Sequence, residues 1–276
     1  LTPFITSPAT AVIIDASSDP VDGCSLTIYV DDDAVGDPGP GDPDVSDALE
    51  DGTLLHPFDS IQEAVDSVIL AGTTVLLEGD AGGAFHLVSD LLAQGSPFDV
   101  VLFDVVAAAH ADFGRRWKEG DYRIADEHAA TGTVETVVAL LAGSFDLPDA
   151  GEPIVVAAAE GDHHSLPVRL ASAHLLALGY RVRYLGANME AADLAAYLQD
   201  DPPKALVLSC AMSTLLPGAR ASIRAAHRAG VPVLSGGPGF GLNGVWAYSI
   251  GADAWVASPR EIDDVLRSWE PDIEVA

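Results

Sequence analysis

The second half of this chain alternates short apolar runs with segments of helical periodicity, and this alternation limits its fold more than any other feature. Strands joined by helices form a parallel sheet with right-handed crossovers and helices on both faces. The sequence therefore predicts a doubly wound α/β domain over residues 151–276, Rossmann-like or flavodoxin-like, whose ligands bind in the loops that follow the strands. The predicted strands are 154–159, 181–185, 205–210, 231–235 and 253–257, and the predicted helices are 167–178, 190–199, 217–229 and 260–269.

A helical domain is predicted in front of the α/β domain. Over residues 56–150, apolar residues recur at three- and four-residue spacing, which favours amphipathic helices. Short helices with tight connections are typical of a bundle. We therefore predict a four-helix-bundle cap, with helices near 58–71, 81–94, 97–119 and 123–143.

Residues 1–55 differ from both domains. Two partly β-branched runs, 11–14 and 25–30, suit a short hairpin, and residues 36–43 have the proline and glycine content of a linker. Residues 31–33 are all aspartate, but the glycine and terminal glutamate of a calcium loop are missing, which favours a solvated charge run. The segment is predicted to be an acidic extension, partly β or irregular.

The charge of the chain limits what it can bind. Asp and Glu number 42 against 13 Lys and Arg, and the first basic residue from the N-terminus is Arg115. Since phosphates are held mainly by Lys and Arg, we expect neither direct nucleic-acid binding nor attachment to anionic lipid. An acidic surface that aids solubility or adapts the protein to salt is the simplest interpretation.

Other sequence signals indicate the compartment. The chain contains no apolar run of about 18 residues and no signal-peptide pattern, so we expect a cytoplasmic protein. Only Cys24 and Cys210 are present, which is too few for a disulfide framework or a cysteine zinc site.

The loop after the first predicted strand carries the most chemistry. Residues 160–167 read Glu-Gly-Asp-His-His-Ser-Leu-Pro. A carboxylate two positions before a histidine, as in Asp162 and His164, can hold one imidazole nitrogen and leave the other free to ligate a metal. A pair of solvated loop histidines is the alternative, and the loop alone does not decide between them. Its single glycine excludes a dinucleotide Gly-x-Gly-x-x-Gly fingerprint.

Two further loops contain small residues. Residues 209–215 read Ser-Cys-Ala-Met-Ser-Thr-Leu after the third strand, and residues 235–240 read Ser-Gly-Gly-Pro-Gly-Phe after the fourth. Such loops leave room for a bulky planar group or a long tail between the sheet and its helices.

Together, the three loops resemble the cobalamin-binding domain shared by corrinoid methyltransferases, mutases and light sensors. That family has Asp-x-His-x-x-Gly, about 41 residues, Ser-x-Leu and then a Gly-Gly pair. This chain has Asp162-x-His164-x-x-Pro167, 41 intervening residues, Ser209-x-Ala211 and a Gly-Gly pair at 236–237. The similarity continues through residues 184–188 and 251–255 and covers 152–269. Proline in place of the family glycine suits the first turn of the following helix.

The resemblance implies a cobalamin bound with its own lower base displaced. His164 is then the lower cobalt ligand and Asp162 its hydrogen-bond partner, while His163 is a neighbour of the cofactor. The implied positions of the nucleotide tail are Ser209, Ser213, Gly236 and Gly237. The other implied contacts in this domain are Ser165, Leu166, Leu215 and Phe240.

A second resemblance lies in the helical domain. Trp117 stands ten residues before the pair Glu127 and His128, a spacing similar to that in the cap of CarH-like, cobalamin-dependent photoreceptors. That likeness implies that the tryptophan packs against an adenosyl group above cobalt and that the pair lines the same cavity. Without it, the tryptophan would be a core residue and the pair a polar helix face.

One departure limits this second resemblance. Lys118 stands where the light-sensing repressors have a histidine that captures cobalt once the adenosyl group is lost. An ammonium group has no lone pair, so capture at this position is doubtful, although His110 or His128 could substitute.

These features predict a light-responsive, adenosylcobalamin-binding sensor. Photolysis of the cobalt–carbon bond would repack the cap and change the oligomeric state or the contact with an unidentified protein effector. A homo-oligomer without direct nucleic-acid or membrane contact is expected, because the first 55 residues contain no basic recognition helix. In a photocobilin-like variant, a non-covalent bilin such as biliverdin is a second chromophore.

Two other function classes stay open from the sequence. One is a corrinoid carrier in methyl transfer, which would work with separate methyltransferases. The other is an acidic interaction module, which would retain no cobalamin.

Overall fold

The computed structural model describes residues 79–145 and 151–269. They belong to two compact units that divide between Val137 and Val138. The predicted hairpin within 11–30 and the helix predicted near 58–71 lie outside the described residues.

The described residues of the first unit are largely helical. Helix α1 spans Ala81–Ala93 and begins at Asp80, whose carboxylate accepts a hydrogen bond from the amide of Gly83 at 2.9 Å. Helix α2 consists of an α-turn at Phe98–Val100, a π-helical segment at Val101–Ala107 and an α-helix at Ala108–Glu119. It ends at Gly120, whose φ of +93° is the left-handed conformation typical of a helix end. Helix α3 spans Ile124–Ala142.

The core of this unit is formed by apolar side chains from all three helices. Val88, Leu102, Phe113 and Val134 are almost completely buried. The ring of Phe113 also stacks on Tyr122, with 4.4 Å between centroids. The helices predicted at 81–94, 97–119 and 123–143 are thus confirmed to within a few residues.

The π-helical segment was not predicted. The sequence of this stretch, Val-Leu-Phe-Asp-Val-Val-Ala, is apolar on nearly every side. A shift of one residue in the turn therefore still buries apolar side chains, and the hydrophobic pattern does not distinguish an α-turn from a π-turn.

The second unit is an α/β domain with a five-stranded sheet. The strands are β1 (Ile154–Ala158), β2 (Val182–Gly186), β3 (Ala205–Ser209), β4 (Val233–Gly236) and β5 (Ala254–Val256). They pair in the order β2-β1-β3-β4-β5, and every pair is parallel. This is the flavodoxin-like order, so the predicted fold class is confirmed. The helices are α4 (Leu166–Ala177), α5 (Ala191–Asp200), α6 (Leu216–Arg228), α7 (Val245–Ser249) and α8 (Ile262–Ser268).

Central strands of the sheet are buried on both faces. Along β1, Val155 and Ala157 pack into one apolar cluster, while Ile154 and Val156 pack into another on the opposite face. Continuous apolar strands are typical of parallel sheets covered by helices on both sides. Helix α7 was not predicted, because five residues are too few to show helical periodicity.

The described helices include none with the length and apolar character needed to cross a membrane.

Candidate functional site

The strand order gathers the predicted site loops at one edge of the sheet. Strands β1, β3 and β4 are neighbours, and the loops after them begin at the carboxyl ends of parallel strands. The chain leaves β1 towards β2 and leaves β3 towards β4, in opposite directions along the sheet, which opens a crevice between these two loops. The location predicted for ligands is therefore the location of the Asp162 and His164 loop.

The Asp162 carboxylate is completely buried and holds His164. Its Oδ1 accepts hydrogen bonds from the backbone amide of His164 at 3.0 Å and from the imidazole Nδ1 at 2.7 Å. Its Oδ2 accepts a third, at 2.7 Å, from the backbone amide of Ala211 in the loop after β3. Both carboxylate oxygens are thus engaged by donors from two loops.

This pairing fixes the chemistry of the imidazole. A carboxylate can only accept, so Nδ1 of His164 carries the proton and Nε2 presents a lone pair. The side chain is about half exposed, at 53%. A single oriented imidazole suits a metal whose other ligands come from its own macrocycle, so the donor set fits the cobalamin that the resemblance implies.

The residues beside the ligand loop have different environments. His163 is exposed and Ser165 is partly buried. Leu166 begins α4 and is buried, and Pro167 occupies its first turn as predicted. The proline for glycine departure is therefore accommodated by the start of a helix.

The loop after β3 acts through its backbone. Ala211 replaces the leucine of the family pattern, but its contribution to the site is the amide hydrogen that binds Asp162. Ser209 is nearly buried at the end of β3, whereas Ser213 is exposed and Leu215 partly buried in a 3₁₀ turn. The side chains predicted here thus lie at the same edge as the ligand loop.

The loop after β4 packs tightly against the β3 loop. Gly237 has a φ of +106°, and a Cβ there would lie 2.6 Å from the carbonyl oxygen of Cys210. Gly239 donates its amide to the same oxygen at 2.9 Å. Only glycine permits this approach.

Phe240 ends the 3₁₀ turn at Pro238–Phe240 in the loop after β4. Its side chain is completely buried in an apolar cluster on one face of the sheet. Its contact with a cofactor stays a prediction.

A cavity of about 160 Å³ lies between the sheet and α4. Ser209, Gly236 and Gly237, three of the residues predicted to contact the nucleotide tail, line it. Sequence reasoning missed the small residues that form its other walls, which include Ala171, Ala257 and Ser258. A largely apolar slot beside the ligand histidine fits a long substituent of a macrocycle.

The residues predicted in the cap belong to the first unit. Trp117 lies on α2 and is 38% exposed, so it is not a core residue. Glu127 and His128 begin α3, and the imidazole of His128 is largely exposed. Their contact with a cofactor stays a prediction.

Glu127 takes part in a hydrogen-bond chain. Its Oε1 accepts from the hydroxyl of Thr131 at 3.0 Å, and that hydroxyl is 2.7 Å from Nε2 of His110. Since the hydroxyl donates its only proton to the carboxylate, Nε2 of His110 donates in turn. Burial lowers the pKa of His110, while the charges of Glu127 and Glu135 oppose this effect.

Comparisons with known proteins agree with this geometry. Residues 152–264 match the B12 binding domain family, and residues 73–142 match a second B12 binding domain family. A corrinoid protein of Desulfitobacterium hafniense (strain Y51) is 24% identical over 194 residues, which cover 65% of this chain and 87% of that protein.

A solved structure of similar fold is among those that match this chain. The monomethylamine corrinoid protein of Methanosarcina barkeri superposes with a TM-score of 0.62 at 19% identity, over 74% of this chain and 99% of that one. The methanol:cobalamin methyltransferase complex of the same organism matches at 20% identity over 75% of this chain and 85% of that one, with a TM-score of 0.37.

Proposed function

Because residues 73–142 and 152–264 of this chain form a cobalamin-binding module, we propose that the protein is a corrinoid carrier in methyl transfer. The observation that carries the proposal is the Asp162 and His164 pair, which presents one unprotonated imidazole nitrogen at the ligand edge of the sheet. The likeness to corrinoid proteins over both domains supports a carrier over the other functions considered.

When bound, the cobalt of the corrin supplies a centre that can accept and release a methyl group. His164 would hold the cobalt through Nε2, the imidazole nitrogen that is not bonded to Asp162. The Asp162 carboxylate, 2.7 Å from Nδ1, would keep the imidazole oriented towards the metal. The largely apolar cavity beside α4, lined by Ser209, Gly236 and Gly237, would hold the tail of the cofactor.

The proposal is tested by loading the purified protein with hydroxocobalamin, dialysing it and measuring cobalt and absorption. One bound cobalamin per chain is expected. The reduced protein is then mixed with a candidate methyltransferase and isotope-labelled methanol, methylamine or a methoxylated aromatic compound. Label on the protein-bound cobalt supports a carrier, and a colourless protein after dialysis contradicts cobalamin binding.

The light-responsive sensor is the second candidate. The observation that favours it is the exposed Trp117, which stands ten residues before a Glu127 that is fixed by Thr131. In this proposal the protein binds adenosylcobalamin, with or without a bilin, and loss of the adenosyl group changes its assembly or its contact with an effector.

Illumination distinguishes the two candidates. The protein is loaded with adenosylcobalamin in the dark, and its spectrum and elution volume are compared before and after light. A change of elution volume supports the sensor, whereas photolysis without any change of assembly or partner favours the carrier. Co-expression with a source of bilin tests this second chromophore, which would add a far-red absorption band to the purified protein.

A further inference from the structure

We infer that Asn188, in the loop between β2 and α5, is a positioning residue for the His164 ligand. The inference rests on the proposed cobalamin binding. Asn188 is 24 positions from His164 in sequence, yet its backbone and side chain both bind the loop that carries the ligand.

The contacts of Asn188 clamp two adjacent residues. Its side-chain Oδ1 accepts a hydrogen bond from the amide of Gly161 at 2.8 Å. Its own backbone amide donates to the carbonyl oxygen of Asp162 at 2.7 Å. Asn188 thus binds both the amide of Gly161 and the carbonyl oxygen of Asp162, in the turn that sets the direction of the Asp162 side chain.

The backbone of Asn188 explains why this residue type occurs here. Its φ of +51° lies in the left-handed region, and it is the one non-glycine residue with positive φ in the described part of the chain. Asparagine and aspartate tolerate this conformation better than other side chains. Alanine would be strained, and glycine would adopt the conformation but lacks the acceptor that binds Gly161.

A reciprocal contact joins the same two loops. The Oε2 atom of Glu160 accepts a hydrogen bond at 3.1 Å from the amide of Ala191, the first residue of α5. The Glu160 side chain therefore binds the start of the helix, while Asn188 just before that helix binds the loop that contains Glu160. The β2–α5 connection and the ligand loop form one interlocked unit.

The clamp acts on the metal ligand through Asp162. The orientation of the buried carboxylate fixes both Nδ1 and the backbone amide of His164. Loss of the bond to Gly161 lets the turn move and spreads the positions of the imidazole. A net hydrogen-bond contribution of ordinary size corresponds to an about three- to tenfold smaller equilibrium constant for imidazole–cobalt coordination.

Three variants of the full chain test this role. N188G keeps the backbone conformation and the amide donor and removes only the side-chain acceptor. N188D restores an acceptor in a residue that tolerates positive φ. N243G is the matched control, because Asn243 is exposed and its side chain has no hydrogen bond with the described residues.

The first measurement needs no cofactor. Hydrogen exchange of the Gly161 amide is followed by NMR in the apo protein, and urea unfolding checks that each variant is folded. We expect exchange about three- to tenfold faster in N188G and near the wild-type rate in N188D and N243G.

The second measurement reads the ligand. In the cobalamin-loaded, Co(II) protein labelled with ¹⁵N-histidine, ¹⁵N splitting of the electron paramagnetic resonance signal reports the fraction of cobalt bound to a protein imidazole and distinguishes it from the ¹⁴N base of the cofactor. N188G is expected to lose part of this splitting and N188D to recover it. Wild-type splitting in N188G, an equal loss in N243G, or no recovery in N188D would overturn the role of Asn188.

The two proposals fail in different ways. A wild-type protein that retains no cobalamin contradicts the proposed function, and the positioning role fails with it, whatever the exchange rates are. A wild type with full imidazole coordination that N188G leaves unchanged contradicts only the role of Asn188.

Discussion

At the scale of single residues, the site depends on groups that are fixed before any ligand arrives. Asp162 is buried with three hydrogen bonds to its two oxygens, so its position is set by the protein and not by the cofactor. Such satisfaction of a buried carboxylate offsets its loss of solvation. The half-exposed imidazole of His164 is the part of the pair that remains available for a ligand.

The neighbouring histidines provide a matched pair of variants. His164→Ala is expected to abolish the splitting from ¹⁵N-labelled histidine in the Co(II) spectrum, because no other imidazole in the loop is bound to Asp162. His163→Ala removes an exposed side chain of the same type and is expected to leave the splitting unchanged. Loss of the splitting in both variants, or in neither, would contradict the assignment of His164.

Cys210 is expected to be an unreactive thiol. Burial raises its pKa to about 11, the negative charge of Asp162 adds to this effect, and a hydrogen bond with the backbone of Met212 opposes it. At pH 8 such a thiol contains about a hundredfold less thiolate than an ordinary cysteine.

Alkylation by iodoacetamide, read at Cys210 by peptide mass, checks this expectation. The rate in the folded protein should rise about tenfold per pH unit beyond pH 9, where that of an ordinary cysteine levels off. The urea-unfolded protein is the control and should react at the ordinary rate. Equal rates in the folded and unfolded protein at pH 8 would show that the thiol is accessible and ionised.

The sequence predicts the pairing of Asp162 with His164 but not the backbone contacts around this pair. The spacing of Asp162 and His164 predicts a hydrogen-bonded pair, because the two types have complementary chemistry. The amide of Ala211 has no such signal, since every residue except proline carries one. Asn188 was missed because asparagine also occurs in ordinary backbone conformations, so the residue type alone does not indicate a positive φ.

At the scale of elements, helix α6 is held close to the ligand loop by a residue without a side chain. A Cβ on Gly218, near the start of α6, would lie 2.0 Å from the carbonyl oxygen of Glu160. The helix after β3 and the loop after β1 therefore touch backbone to backbone. This close approach holds the loop that carries Asp162 next to the helix that follows the Ala211 loop.

Two glycine variants test this packing. Gly218→Ala is expected to lower the free energy of unfolding by about 1–3 kcal/mol, because helix and loop must separate to admit the methyl group. Gly114→Ala in α2, where nothing lies within 4 Å of the new Cβ, should raise it by about 0.5–1 kcal/mol. Urea unfolding measures both, and a stabilised Gly218→Ala protein would contradict the close approach.

The outer face of α6 carries an unusual row of charge for so acidic a chain. Arg220, Arg224 and Arg228 are exposed at four-residue spacing and form no ion pair with the described residues. Arg115, Arg123 and Arg267, in contrast, each pair with a carboxylate one turn away. Like charges at this spacing repel and destabilise the helix.

Substitution of the middle arginine measures this repulsion. Arg224→Glu turns two repulsive pairs into attractive ones and should raise the free energy of unfolding by about 0.5–1 kcal/mol at low salt. Arg224→Gln, which only removes the repulsion, should give about half of that gain. Equal stability of the wild type and both variants would mean that the row is screened or bound to another group.

Element types were predicted better than element details. The five strands and the long helices followed from apolar periodicity, because burial on one or two faces sets that periodicity. The π-helical segment of α2 and the single turn of α7 were missed, since neither changes which side chains are apolar. Cavity walls such as Ala257 and Ser258 were missed because small residues occur throughout the chain.

At the scale of the whole molecule, charge is expected to affect stability. The formal net charge is −29, and like charges on a folded chain repel one another. Screening by salt shortens the range of this repulsion from about 30 Å at 0.01 M to about 3 Å at 1 M.

Thermal unfolding in increasing salt tests this effect. Raising sodium chloride from 0.01 M to 0.5 M is expected to raise the midpoint by about 2–8 °C, corresponding to roughly 1–2 kcal/mol of relieved repulsion. Choline chloride at the same ionic strength is the control and should act equally, because screening does not depend on the cation. A rise with sodium alone would indicate specific ion binding.

The donor that Ala211 contributes to Asp162 has a consequence for the order in which the protein matures. It lies 49 positions after its acceptor, at the end of a strand that must first pair with β1. During synthesis on the ribosome, His164 is therefore made well before the Ala211 amide that helps to hold its partner Asp162. Cobalamin is therefore expected to bind only after β3 has been made, and truncated chains that end before β3 should be purified without the colour of the cofactor.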